Sequence, residues 1–192
     1  MEMFLCVNWK SFQSSVKLKE FAVMFIVVHI VPHALDMGLT STTAAGVLST
    51  IGGVSMIGRF SMGTLRDKIV SKQAAIISAI LLQLGFIWLQ VARNAWMLFL
   101  FAAINGFSHG ALYTLISVII ADLFGTRSHG VLFRIVFFSG HVGGAIGPFM
   151  AGLAFDVTGS YRIIFLILAL TIAFGLILIL MLKPLNLKPE VK

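Results

Sequence analysis

Arg59 closes a long apolar run in a chain of which only 11% of residues are charged. A guanidinium holds paired donors in a fixed fork that matches a carboxylate. A charge at the centre of a bilayer costs at least about 2.5 kcal/mol, so such a group should face protein or water. Arg59 is therefore a candidate anchor for an anion; the other reading is an interfacial arginine that reaches solvent near Arg66. His141 lies among glycines, where an imidazole can hydrogen-bond a substrate, carry a proton near neutral pH, or be held neutral by a neighbouring carbonyl. Asn105, His109 and Tyr113 recur every fourth residue, a polar stripe that either glues helices together or lines a water-filled path. His29, His33 and Asp36 would share one stripe of an unbroken helix and so suit a metal, but Pro32 interrupts them and no second cluster supports a metal enzyme. His29 is instead expected to line a cavity or gate, with His33 and Asp36 capping its outer end. No metal and no cofactor is expected, and the absence of GxSxG, Walker and Cys-His patterns argues against an enzyme.

These residues sit in elements that composition identifies. The chain has 192 residues, 59% hydrophobic, with 17 Phe, and a mean hydropathy of +1.03, far too apolar for an ordinary soluble domain. Crossing the hydrocarbon as helix takes roughly 20 apolar residues. Gln73–Ala92, Ala95–Ala121, Ile135–Phe155 and Ile163–Leu182 contain no Asp, Glu, Lys or Arg, Met37–Gly58 runs up to Arg59 with none, and Phe21–Leu35 is shorter and broken by Pro32. The fold class is thus an all-α membrane protein of six transmembrane helices. Strands of a membrane barrel would alternate in polarity, whereas these runs are continuously apolar. Residues 1–20 are expected as a cytoplasmic N-terminal segment rather than a signal peptide, 21–184 as the six-helix bundle and 185–192 as a cytoplasmic tail.

A net charge of +7 reflects topology rather than nucleic acid. Lys10, Lys17, Lys19, Arg66, Lys68, Lys72, Arg127, Lys183, Lys188 and Lys192 fall on one side of the spans, and only Arg93 and Arg162 on the other. The positive-inside rule then places both termini in the cytoplasm, in a multi-pass protein of the cell membrane. Gly58, Gly63, Asp67 and Ser71 recur as Gly147, Gly152, Asp156 and Ser160, each shifted by 89 residues. Three spans separate the copies, so the second is inverted: two inverted three-helix repeats, an arrangement typical of secondary transporters. Gly52, Gly53, Gly58, Gly143, Gly144 and Gly147 are also expected at close helix contacts. The third and sixth spans, nearly free of polar residues, are expected to face lipid, and the first, second, fourth and fifth to line a cavity.

"GTLRDKIVSK" (63–72) resembles the cytoplasmic loop signature of the major facilitator superfamily. Gly63, Asp67 and Lys68 match, Lys72 keeps the later basic position, and Val70 stands where a glycine is usual. With "ADLFGTRSHG" and "FDVTGSYR", the chain resembles the C-terminal six-helix half of a twelve-helix transporter, and "HIVPHALDMG" and "FFSGHVGGAIGP" are similar to the oxalate:formate antiporter and monocarboxylate transporter branch. The resemblance implies alternating-access transport of a small organic anion, as antiporter or symporter, with Arg59 binding its carboxylate and His141, His109, Asn105, Tyr113 and His29 shaping the site. Monocarboxylate transporters usually carry an aspartate one turn before this arginine, where Ser55 stands, and oxalate antiporters a lysine near His141. The second departure argues against a dicarboxylate. Gly63, Asp67 and Lys68 would form a conformational latch, Asp67 accepting hydrogen bonds from the N-terminus of the fifth helix. Expected partners are the anion, protons, the lipid bilayer, and a second six-helix half or a homodimer; no nucleic acid. The alternative is a truncated, non-transporting remnant or a membrane interaction subunit.

Overall fold

In the computed structural model, which describes residues 2–65, 70–158 and 161–182, each apolar run becomes a helix: α1 (Glu2–Asp36), α2 (Ser41–Leu65), α3 (Ser71–Leu89), α4 (Ala95–Phe124), α5 (His129–Thr158) and α6 (Tyr161–Met181). Five of them are long and apolar enough to cross a membrane. The sixth, α2, is 25 residues long but carries Ser, Thr and Gly on most of its turns. It belongs to the same bundle, packing closely on α4.

The helix ends are chemically explained. Thr40 caps α2, its Oγ1 accepting from the Thr43 N–H at 3.3 Å, which satisfies one of the free donors of the first turn. α1 stops at Gly38, whose φ of 80° suits a residue without Cβ. There Leu39 N–H bonds Ala34 O at 3.1 Å and Gly38 N–H bonds Leu35 O at 2.8 Å, the paired closure of a glycine-terminated helix. Lys72 at the start of α3 donates to Leu180 O at 3.2 Å and to Leu182 O, so its ammonium neutralises the negative end of α6.

Two expectations about α1 are corrected. Pro32 lies inside the helix, which continues to Asp36; only one ladder bond is lost, since proline removes a single N–H. Residues 8–20 do not stand outside the bundle: Phe12, Ser15, Val16, Lys19 and Glu20 are buried, and Trp9 packs edge-on to Phe124 at 5.3 Å. The polar residues of this stretch share their turns with apolar ones that face the core, so the helix extends through them. The tail, 185–192, lies outside the described residues.

Packing repeats with a three-helix shift. α2 packs on α4 as α5 packs on α1, α3 on α4 as α6 on α1, and α3 meets α6. Glycines set both close crossings. A Cβ on Gly106 would lie 2.5 Å from Ile51 O, and Gly58 and Gly110 sit tighter still on Phe107 O and Ser55 O; in the other copy a Cβ on Gly147 would lie 2.6 Å from Phe21 O and one on Gly143 2.9 Å from Lys17 O. Gly58 and Gly147, the equivalent positions of the repeat, thus each rest on a phenylalanine carbonyl of the partner helix. Small residues let helix backbones approach in lipid. Gly52 and Gly53 are not part of this: nothing lies within 4 Å of a Cβ built on either.

α3 and α6 bury one face (Ala75, Leu82, Phe86; Phe165, Leu168) and expose an apolar one (Ile77, Leu84, Ile87; Leu166, Leu170, Phe174), as lipid-facing helices should. α2 and α5 also turn large apolar side chains outward, among them Met56, Phe60, Phe138 and Phe149. These two helices are therefore more than polar cavity walls.

Candidate functional site

The Tyr113 ring on α4 is the hub of the polar face. The Arg59 guanidinium carbon, from α2, lies 4.8 Å from the ring centroid, and Lys19 Nζ, from α1, lies 5.7 Å from it. Both are cation–π distances. Phe137 on α5 meets Tyr113 edge-on at 4.8 Å and stacks obliquely with His141 at 5.6 Å. His109 sits one turn from Tyr113, 5.9 Å between rings, and is buried with no partner for Nδ1. Lys19 Nζ pairs with Glu20 Oε1 at 2.7 Å. Four helices thus deliver two cations, one carboxylate, two imidazoles and a phenol to one region of an otherwise apolar bundle.

Each contributor is placed by local packing. The α2–α4 glycine crossing brings Arg59 over Tyr113, because Gly58 touches Phe107 and Ala111 on the turn before. The α1–α5 crossing brings Glu20 beside Gly140, where a Cβ would stand 3.2 Å from Glu20 Cγ. Glu20, Gly140 and His141 line a common cleft with Val16, Ile116 and Phe137. A larger cavity lies between α1, α3, α4 and α6, but its walls are Phe12, Leu82, Leu112, Ile119 and their like, with Lys19 and Ser15 the polar contributors. It is an apolar gap in the core and offers a solute no paired donors.

Of the residues singled out from sequence, Arg59, Tyr113, His109 and His141 come together. Arg59 and His141 are exposed on the open face, and the His141 ring nitrogen Nδ1 is 2.8 Å from Phe137 O. Asn105 is fully buried with neither polar side-chain atom bonded, beside the Gly106–Ile51 crossing. His29 lies nine residues beyond Glu20, about 13 Å further along the axis; its Nε2 is 3.4 Å from Pro148 O and its ring packs on Phe25 at 4.8 Å. It links α1 to α5 away from Arg59. His33 is enclosed by Phe165 and Tyr161, at 4.8 and 5.4 Å between rings. Among the described residues no group of His, Cys, Asp and Glu is arranged to hold a metal. Of the latch, Gly63 is exposed and touches nothing where a Cβ would be; Asp67 and Lys68 lie outside the described residues.

Lys19 and Glu20 were invisible as site residues because a polar stretch before an apolar run reads as a solvated approach. The one available signal was an acidic residue directly abutting a span, in a chain with seven Asp and Glu in all.

Known proteins share this architecture. The family described as Major Facilitator Superfamily matches residues 20–192. Monocarboxylate transporter 12 of Rattus norvegicus is 31% identical over 156 residues, covering 79% of this chain and 32% of that protein. Monocarboxylate transporter 13 of the same organism is 30% identical over 142 residues, covering 73% and 33%. The chain therefore spans about a third of the length of these relatives. Among solved structures, tetrameric PepTSo2 superposes with a TM-score of 0.80 at 16% identity, over 93% of this chain and 40% of that one. The transporter FucP in its outward conformation superposes at 0.77 with 19% identity, over 93% and 43%.

Proposed function

Because the chain belongs to the Major Facilitator Superfamily, a family of transporters and not enzymes, we propose that it forms the C-terminal half of a secondary carrier for a small organic anion, a monocarboxylate, working by alternating access. The observation that carries this is Arg59: a guanidinium on the open polar face, backed by the Tyr113 ring at 4.8 Å, with Lys19 on the same ring. Arg59 would bind the carboxylate; Tyr113, His109 and His141 would shape the site. The other cation on the Tyr113 ring, Lys19, is paired with Glu20, which disfavours a second carboxylate there. Asn105 and His29 would act on the helix contacts behind it. Homology to monocarboxylate transporters 12 and 13 supports the solute class. The alternative of a non-transporting remnant is not favoured, since the family match runs through all six helices.

The exposed apolar faces of α2 and α5 would be covered by a second six-helix half, or by another copy in a homodimer, closing the solute path between them. The carrier would sit in the cell membrane with both termini cytoplasmic. Gly63, Asp67 and Lys68 would latch the cytoplasmic side through the N-terminal end of α5. The test is proteoliposome uptake of labelled lactate, formate and oxalate with the complete protein. Lactate or formate uptake that Arg59→Ala abolishes supports the assignment; oxalate preferred over both, or uptake indifferent to Arg59→Ala, overturns it. The latch is tested separately: Asp67→Asn should shift cysteine accessibility towards the outward-closed state, and unchanged accessibility refutes it.

A further inference from the structure

The bundle is not filled between the α1–α6 pair and the α3–α4 pair. α3 meets α6, but α1 and α4 scarcely touch, and the apolar cavity lies in the seam, about 530 Å³ of empty space including its opening. Small residues create it: Ala75 and Ala79 on α3 and Gly175 on α6. A Cβ on Gly175 would still be 3.8 Å from Ser15 O and 3.9 Å from Leu18 Cβ on α1. The walls run from Phe12 to Lys19 on α1, from Ala75 to Leu82 on α3 and from Ile172 to Leu182 on α6. At 1.5 Å per residue this is a slot about 10–15 Å long, aligned with the helices.

The slot offers little to water. Ser15 donates its hydroxyl to Phe12 O at 2.7 Å, and the Lys19 ammonium is paired with Glu20, so both polar contributors are already engaged. A cavity of this chemistry stays dry and accepts an apolar occupant, which restores the dispersion contacts that unfilled walls forgo. One end carries charge. Lys72, three residues before Ala75, reaches across to α6 and donates to Leu180 O and Leu182 O, and Leu182 lines the slot. An ammonium has three donors, so one remains for an anion. Lys10, exposed on α1, lies two residues before Phe12 at the same end; the acidic residue described at this level is Asp122 on α4, also exposed.

We propose that the slot is a lipid site, which takes one acyl chain of an anionic phospholipid from the leaflet on the Lys72 side and pairs the phosphate with Lys72. Basic groups beside clefts between membrane helices recognise acidic headgroups, and a bilayer holds such a molecule at the mouth of the slot in any case. Seated there, the chain bridges the α1–α6 and α3–α4 pairs where the protein's own side chains leave a gap. The site depends on membrane embedding and not on which solute is carried.

The test uses the complete protein purified in detergent. Its thermal midpoint is followed as dioleoylphosphatidylglycerol, dioleoylphosphatidylcholine or oleate is added at equal concentration. Phosphatidylglycerol should raise the midpoint by several degrees, because a ligand bound to the folded state stabilises it by mass action; an equal rise with phosphatidylcholine, or a larger one with oleate, overturns the proposal. Lys72→Met should abolish the preference for phosphatidylglycerol over phosphatidylcholine, and a preserved preference removes Lys72 as the anchor and overturns the site as described. Ala79→Leu, which fills the slot, should melt no lower than wild type and lose the response; a full response in it overturns the proposal. Photolabelling is read in wild type and so stands whether or not the variants fold. Phosphatidylglycerol with a diazirine near the end of one chain should label Ala79, Leu82 and Ile179 inside the slot, whereas label confined to the outward Ile77, Leu84 and Leu170 overturns the proposal.

Discussion

Arg59 and Tyr113 are coupled through a ring face and not through a hydrogen bond, and this makes their contributions separable. Charge-assisted hydrogen bonds contribute about 1.5–3 kcal/mol, and each 1.4 kcal/mol is a factor of ten. Arg59→Lys keeps the charge but loses the fork, so the lactate KM should rise by at least about ten-fold; an unchanged KM in uptake assays would show that the guanidinium is not the anchor. A cation–π contact at an exposed site is worth about 0.5–1 kcal/mol, so Tyr113→Leu should weaken lactate uptake about two- to five-fold. Tyr113→Phe, which keeps the ring, should not. Equal losses in the two variants would assign the effect to the phenol hydroxyl. Arg59 stood out as a candidate from its isolation in an apolar run, whereas the burial of Glu20 and Lys19 emerged only with the helix passing through them.

At the scale of helices, backbone contact at glycine is the organising interaction. Gly110 faces Ser55 O and Gly58 faces Phe107 O with no room for a methyl. Overpacking of this kind costs about 1–3 kcal/mol, so Gly110→Ala should lower the unfolding midpoint in detergent, while Gly53→Ala, with open space at its Cβ, should leave it unchanged or slightly raised. Equal midpoints would mean that α2 and α4 slide to accommodate the methyl. Lys72→Met removes the cation at the end of α6, a loss of about 0.3–1 kcal/mol that should appear as faster amide exchange in the last turn of α6. The glycine repeat at an offset of 89 residues pointed to these crossings. It did not separate Gly58 and Gly147, which touch a neighbouring backbone, from Gly52 and Gly53, which do not, because rotation about each helix axis depends on the partner.

For the molecule as a whole, membrane embedding and topology derive from apolar length and the placement of basic residues. In a background with Cys6→Ser, cysteine at Asn94 should react with an impermeant maleimide added outside intact cells, and cysteine at Arg127 only after permeabilisation. The reverse pattern would invert the assigned orientation. α2 and α5 turn large apolar side chains outward, the faces that a second half would cover under the proposed function.

Six helices, their inverted pairing and the isolated arginine were determined by sequence alone, because each depends on composition, on spacing along the chain or on local backbone preference; the superfamily was legible only as a resemblance of its loop motifs. Which polar groups meet was decided only by the tertiary structure. Helix rotation set by glycine contacts turned Asn105 into the core, carried His29 to a different level, and gathered Arg59, Lys19, Glu20, His109 and His141 around Tyr113. Those outcomes depend on how one helix seats against another, and no run of consecutive residues encodes that seating by itself.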